Sequence, residues 1–233
     1  MFAIAYLKSE PLSGVTNVSG EGFVIGVGGG TGAGKTLLTD NLCSRYQQLG
    51  VAVIDQDSYY LDQSHLEIEA RAKVNFDHPS SLDHSLIAEH VSTLLKGRPV
   101  EKPCYCFATH TRSSNTVMVS PSDLIIVEGI FALWDANLRS MMDLKIYIDA
   151  DSDLRFIRRM RRDIVERGRT VQSVIDQYLS SVRPMHRTYI EPTREWADLI
   201  IDTSSDPDLH EYLSHIDERV ATKQSIAVEL QYL

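Results

Sequence analysis

Short apolar runs alternate along this chain with stretches in which apolar positions recur every three or four residues. Residues 23–27, 51–55, 123–129, 144–149 and 196–202 are continuous runs rich in Val and Ile, the pattern of strands covered on both faces. Between them, Leu38, Leu42 and Tyr46 mark a helical stripe over 37–46, and Leu86, Val91, Leu94 and Leu95 mark another over 85–95. Gly50 and Gly97 stand where those two helices stop. Further helices are predicted from residue 152, over 171–182, over 185–189 and over 207–221, with Pro184 ending the second of these. Strands and helices in alternation predict an α/β fold, a parallel sheet flanked by helices on both faces.

Three stretches interrupt that rhythm. Residues 61–85 are polar and irregular, with a short charged helix predicted over 66–74 and a shaped loop at Asn75-Phe76-Asp77-His78-Pro79, where Pro79 holds His78 out of the helical region. Residues 103–112 set Cys104, Cys106 and Ala108 against Tyr105, Phe107 and Thr109, one arm of a hairpin with 116–119 as its return. In the helix from residue 152, Arg155, Arg158, Arg159 and Arg162 share one stripe, and Leu154, Ile157, Met160 and Ile164 share the opposite one. The apolar stripe is expected to pack and the arginines to face a phosphate-bearing ligand as a lid. The alternative is a solvated charge face paired with Asp151, Asp153, Asp163 and Glu166.

Composition narrows the class. The 233 residues are 43% hydrophobic, enough for one α/β domain over 21–222, with an extension at 1–20 and a tail at 223–233. A net charge of −9 argues against a general nucleic-acid or anionic-membrane binder while allowing a local basic cleft. Cys43, Cys104 and Cys106 are an odd count without a CxxC pair, expected to be reduced thiols of a cytoplasmic protein. Cys104, Cys106 and His110 have poor spacing for a metal. The run at 2–7 lacks a basic segment ahead of it, and no stretch has the length of a membrane span.

The chemistry centres on Gly29-Gly30-Thr31-Gly32-Ala33-Gly34-Lys35-Thr36, which fits GxxxxGK(S/T) between a predicted strand and a predicted helix. Glycines there let backbone N–H groups curl round a polyphosphate, and the helix N-terminus adds a favourable dipole. Lys35 is expected to reach the β- and γ-phosphates of ATP, and Thr36 to ligate Mg²⁺. Asp57, just past the second strand, lies where open α/β sheets bind ligands. Glu128, at the end of the third strand, is placed like the acid that organises Mg²⁺ and its waters. Each of these acids also has a plainer reading, as a turn or strand-end carboxylate.

Taken in order, the loop at 29–36, Gln56-Asp57-Ser58-Tyr59-Tyr60, Asn75-Phe76-Asp77-His78-Pro79, Thr109-His110-Thr111-Arg112, Ile125-Ile126-Val127-Glu128-Gly129 and the arginine-rich run 161–169 resemble the uridine–cytidine kinases, from about residue 23 to 202. The resemblance implies a P-loop NTPase fold with an inserted hairpin at about 100–120 and a lid at about 151–170. It implies transfer of the ATP γ-phosphoryl group to the 5′-hydroxyl of uridine or cytidine. Asp57 then matches the base on that hydroxyl, which also touches the metal's surroundings, and Asp77 matches the ribose acceptor. Tyr105, Phe107 and His110 match the pyrimidine pocket. Arg159, Arg162 and Arg167 match lid contacts to phosphate, and Arg169 and Gln177 match nucleoside contacts. A homotetramer and pyrimidine salvage are implied in the same way. Two departures stand out: Cys106 sits where an aspartate is usual, and Asp202-Thr203-Ser204-Ser205 replaces a proline and glycine beside the adenine. A phosphoribulokinase-like or pantothenate-kinase-like enzyme, a non-catalytic ATP-binding switch, and an RNA binder using the arginine helix are the rival readings.

Overall fold

The computed structural model describes residues 22–71, 73–205 and 209–231. The expected extension at 1–20 and the predicted helix start at Pro207 lie outside these. In chain order the elements are β1 (Phe23–Gly29), α1 (Lys35–Arg45), β2 (Val51–Asp55), α2 (Ile68–Arg71), α3 (His84–Leu95), the hairpin β3 (Val100–Cys106) and β4 (Thr111–Val119), and β5 (Leu124–Glu128). There follow α4 (Ala136–Ser140), β6 (Leu144–Asp149), α5 (Ser152–Val165), α6 (Val171–Gln177), α7 (Arg183–Met185), β7 (Leu199–Asp202) and α8 (Leu209–Gln231). The buried runs form one parallel five-stranded sheet in the order β2-β5-β1-β6-β7, and β3 and β4 pair antiparallel outside it.

Alternation along the strands divides the core in two. Val24, Ile125 and Val127 face Ile87, Val91 and Leu94 of α3 on one side of the sheet. Phe23, Ile25, Val27, Leu124 and Ile126 face Leu38 and Leu42 of α1 and Leu213, Ile216 and Val220 of α8 on the other. Strands covered on both faces have no room for polar side chains, which is why they read as unbroken apolar runs. The register Phe23↔Leu124 and Ile25↔Leu144 brings the carboxyl ends of β1, β5 and β6 to one edge. The order reverses at β1, the position where such sheets open a ligand crevice. On the far side, α1 and α8 are clamped by Asp217, which accepts from Tyr46 Oη at 2.6 Å and from Arg45 Nε at 2.8 Å.

Several expected elements differ. The hairpin arm ends at Cys106, so Phe107, Ala108, Thr109 and His110 form the turn and Arg112 lies on the return strand. An alternation that continues into a turn without Gly or Pro hides where the strand ends. Residues 191–196 form a 3-10 helix and the last strand begins at Leu199, because Trp196 is held outside the sheet with the Arg139 guanidinium 3.7 Å from its ring. Pro184 does not end its helix. The run from Val171 to Ile190 passes it by widening into π turns at Tyr178–Val182 and His186–Ile190, where Arg183 N donates to Tyr178 O. A π register skips the α-helical donor that proline lacks. Helix α4, capped by Asp135 accepting from Leu138 N at 2.8 Å, was not foreseen, and α8 continues ten residues beyond the expected end. No helix among the described residues is long and apolar enough to cross a membrane. Cys43, Cys104 and Cys106 are free thiols.

Candidate active site

The loop between β1 and α1 is shaped by its glycines and by the helix that crosses it. Gly32 has φ +75°, and a Cβ there would lie 2.4 Å from the carbonyl oxygen of Arg155, so α5 passes directly over the loop backbone. Ala33 N donates to Gly30 O at 3.1 Å, closing the turn that Gly29 and Gly34 flank. Lys35 opens α1 with only 9% of its surface exposed and donates from Nζ to Gly30 O at 3.1 Å. Burial pushes its ammonium down to about 8, against the opposing pull of Glu128 and Asp57.

Thr36 Oγ1 donates to Glu128 Oε1 at 2.8 Å, joining the first turn of α1 to the end of β5. Burial raises the Glu128 carboxyl, while Lys35 and the Thr36 hydrogen bond act the other way. Two hard oxygen donors side by side at a phosphate loop suit Mg²⁺, which takes few protein ligands and completes its shell with phosphate oxygens and water. Among the described residues no group of three or more His, Cys, Asp or Glu could hold a metal by itself, Cys104, Cys106 and His110 included.

The apolar stripe of the arginine helix is not its buried face, contrary to expectation. Arg155, Arg159 and Asp163 are buried, while Ile157 is 39% exposed and the rest of its apolar stripe is half-covered. The buried guanidiniums go inward because they find acceptors there, and exposed Arg158 finds one at the surface. Arg159 Nη1 donates to Thr31 Oγ1 at 3.2 Å and Nη2 to Gln177 Oε1 at 2.9 Å. Arg162 Nη2 reaches the same Thr31 hydroxyl at 3.5 Å. Arg155 Nε donates to Ala150 O at 2.9 Å, and Arg158 Nη2 to Thr203 O at 2.8 Å. At the centre lies Asp163, fully buried, with Arg159, Arg162, Arg167 and Arg169 nitrogens 3.4, 3.1, 3.6 and 3.7 Å from its carboxylate oxygens. The solvated-face alternative fails for this residue. One carboxylate cannot satisfy four guanidiniums, so the cluster keeps a cationic surplus aimed at the loop.

The acceptor side grows from β2 and the hairpin. Asp57 follows β2 in a 3-10 turn (Gln56–Tyr59) and is exposed, and its charge reaches Lys35, Asp77, Glu128 and Arg167. That turn is anchored by buried Gln56, whose Oε1 accepts from Phe131 N at 3.0 Å. Asp77 is 6% exposed and accepts from Ser181 Oγ at 3.0 Å. Burial raises its carboxyl, with Arg159 and the Ser181 bond opposing. Tyr60, Phe76, Tyr105, Phe107 and His110 form one aromatic wall, in which His110 stacks on Phe76 at 5.2 Å with ring planes 14° apart. His110 has φ +53°, a left-handed conformation uncommon for a side-chain-bearing residue. Burial, then Arg169 and Arg71, holds its imidazole below the usual histidine range. Arg112 pairs with Tyr105 across the hairpin and reaches this wall through the Tyr60 carbonyl. It braces the hairpin, donating to Tyr59 O at 2.9 Å and Tyr60 O at 3.2 Å.

Lid and hairpin meet where the Arg167 guanidinium sits 4.5 Å over the Phe107 ring. Gln177 accepts from both Arg159 and Arg169. Every candidate residue therefore falls on one edge of the sheet. Sequence reasoning missed Asp163 as the hub, Phe76 and Tyr60 as wall, Ser181 behind Asp77 and His186 beside the loop. Phe76 and Tyr60 lie inside motifs already singled out; Ser181 and His186 have no periodic signal.

The family model described as Phosphoribulokinase / Uridine kinase matches residues 24–210. The chain is 52% identical to a uridine kinase of Oceanobacillus iheyensis over 178 residues, 76% of this chain and 85% of that one. It is 52% identical to a uridine kinase of Bacillus subtilis over 76% of this chain and 84% of that one. The fold is shared with the crystal structure of a fructose transport system kinase from Silicibacter sp., at TM-score 0.66 and 22% identity, covering 77% of this chain and 89% of that one.

Proposed function

The chain belongs to the phosphoribulokinase / uridine kinase family, and from that premise we propose that it transfers the γ-phosphoryl group of ATP to the 5′-hydroxyl of uridine and cytidine. The observation that carries the reading is the pairing of two half-sites on one sheet edge. A phosphate loop whose Thr31 holds two lid arginines faces an aromatic wall with a buried carboxylate, Asp77. A flat pyrimidine suits the wall of Tyr105, Phe107 and His110. Asp77, fixed at one oxygen by Ser181, keeps the other for a ribose hydroxyl. A sugar phosphate would have no use for the wall, and an ATP-driven switch none for Asp77.

Phosphoryl transfer asks for positioning and charge neutralisation more than covalent help. Lys35 turns from Gly30 O to the donor phosphates, and Arg159 and Arg162 meet the transferring group, relieved of part of their attraction to Asp163. Arg167 contacts phosphate as the lid closes over Phe107, and Arg169 with Gln177 touches the nucleoside. Asp57 accepts the 5′-hydroxyl proton. Thr36 and Glu128, with Asp57 nearby, would hold Mg²⁺, which would supply charge neutralisation to the donor phosphates. Arginines packed over the loop exclude water, the competing acceptor. A cytoplasmic place, a step in pyrimidine salvage and a homotetramer complete the proposal.

The test is steady-state phosphorylation with ATP and Mg²⁺ across uridine, cytidine, adenosine, thymidine, ribulose 5-phosphate and pantothenate. Turnover with uridine and cytidine and little with the rest is expected. Turnover confined to ribulose 5-phosphate or pantothenate, or ATP binding without turnover on any acceptor, overturns the proposal.

A further inference from the structure

Asp77 is tied to the lid through a single hydroxyl. Ser181 Oγ lies 3.0 Å from Asp77 Oδ2 and 3.2 Å from the carbonyl oxygen of Gln177, one helical turn back. Gln177 Oε1 accepts from Arg159 Nη2 at 2.9 Å and from Arg169 Nη1. Arg159 Nη1 reaches onward to Thr31 of the phosphate loop at 3.2 Å. Hydrogen bonds thus lead, by way of Ser181, Gln177 and Arg159, from the acceptor's carboxylate to the donor's loop.

Three observations single out Ser181 in that chain. Its hydroxyl has one proton and faces two acceptors, so a stronger claim by either weakens its bond to the other. The carbonyl one turn back is the ordinary partner of a helical serine, and here a buried carboxylate competes with it. Asp77 takes its one side-chain hydrogen bond among the described residues from this hydroxyl. Ser181 also sits in the π turn Tyr178–Val182, a device found often at functional positions. The loop that carries Asp77 has a separate tie to the same helical run, Tyr189 Oη lying 3.0 Å from His78 Nε2. Its backbone is therefore anchored without Ser181, and what the hydroxyl adds is the aim of the carboxylate.

We propose that Ser181 is a positioning residue that couples the two substrates, passing the state of the Asp77 carboxylate to the turn that presents Gln177 to the lid arginines. A ribose hydroxyl on one Asp77 oxygen stops the carboxylate from turning and leaves the other in line with Ser181 Oγ. The turn so fixed holds Gln177 Oε1 towards Arg159 and Arg169, and Arg159 over Thr31. Nucleoside binding therefore readies the lid for ATP, and ATP, by ordering the same arginines, readies Asp77 for ribose. The two affinities rise by a common factor, because coupling between sites is reciprocal. A lid ordered only when the acceptor is present also gives water less access to the phosphoryl group.

This inference rests on the reading of ATP and uridine as substrates, and the experiment separates the two. Uridine affinity is measured by calorimetry on the full chain, with and without a saturating imido analogue of ATP and Mg²⁺. In the parent the analogue is expected to tighten uridine about tenfold. Ser181→Ala is expected to cut that factor below about threefold, and Ser181→Thr, which keeps the hydroxyl, to recover most of it. Tyr189→Phe, which loosens the loop without touching the carboxylate, is expected to keep the factor within about twofold of the parent. Weaker binding of both ligands with an unchanged factor in Ser181→Ala is what a merely structural serine would give, and it overturns the proposal. So do a parent without coupling, equal losses in Ser181→Ala and Ser181→Thr, and a loss in Tyr189→Phe as large as in Ser181→Ala. A parent chain that binds neither uridine nor the analogue overturns the kinase reading instead.

Discussion

At the scale of single residues the site is governed by two buried charges of opposite sign. Lys35 has its ammonium lowered to about 8 because burial outweighs the pull of Glu128 and Asp57. The sign of the pH effect follows. Below about pH 8 the loop carries its cation; above it the free protein loses that charge and with it part of its attraction for ATP. The expected profile of kcat/KM for ATP therefore falls as pH rises through about 8, while kcat at saturating ATP holds further, since bound phosphates raise the ammonium again. The same shift makes this group's contribution to stability grow between about 8 and 10.5, where the unfolded chain binds a proton that the folded chain does not. A flat kcat/KM profile across that range would remove Lys35 as the titrating group. Asp163 is the counterpart: fully buried, it is shared by four arginines. Asp163→Asn keeps the shape and removes the charge, leaving guanidiniums that repel one another. It is expected to lower kcat on the order of a hundredfold and to lower the thermal midpoint by several degrees, as the loss of one partner of a buried pair does. A folded Asp163→Asn protein with parental kcat would show that the arginines are placed without it.

The element scale is where the hairpin and the two unusual helices decide what the pocket can be. Arg112 ties the turn end of the hairpin to the carbonyls of Tyr59 and Tyr60 and lies 3.4 Å from Asp83. It braces the wall from behind, so Arg112→Ala is expected to raise the KM for uridine about tenfold and that for ATP less than about twofold, read from paired saturation curves. Equal changes in both would mean that the hairpin is not an independent carrier of the nucleoside site. Much of this architecture was legible in the sequence. The buried strands announced themselves as apolar runs, and the phosphate loop, Asp57, Asp77 and Glu128 were located by motif and by their place at strand ends. The turn of the hairpin was not legible, because Phe107 to His110 contains no glycine or proline and alternates like the strand before it. That the apolar stripe of α5 would be the buried one was misjudged for a physical reason: periodicity sorts apolar from charged residues, and it cannot tell that Arg155 and Arg159 have acceptors waiting inside. Pro184 misled in the same way, since π turns let a helix pass a residue without an N–H.

On the scale of the whole molecule, charge is distributed against the average. The chain carries −9 overall, yet Lys35 and the arginines of α5 gather at the carboxyl edge of the sheet, where they outnumber the carboxylates around them. The two proposed substrates feel this differently. ATP is a polyanion whose binding runs through that local cationic surplus; uridine is uncharged and bound through stacking and one buried carboxylate. Salt separates them, because the screening length shrinks from about 10 Å at 0.1 M to about 3 Å at 1 M, while stacking and short buried hydrogen bonds are hardly screened. Over that range the long-range repulsion from the acidic remainder is already screened out at the start, so only the local attraction is left to lose. The KM for ATP is therefore expected to rise several-fold between about 0.1 and about 1 M sodium chloride, with the KM for uridine moving less than about twofold. Parallel rises in both would point to a general loosening of the lid. A flat ATP curve would mean that the guanidiniums are neutralised within the protein and that the surplus at Asp163 does not reach the donor.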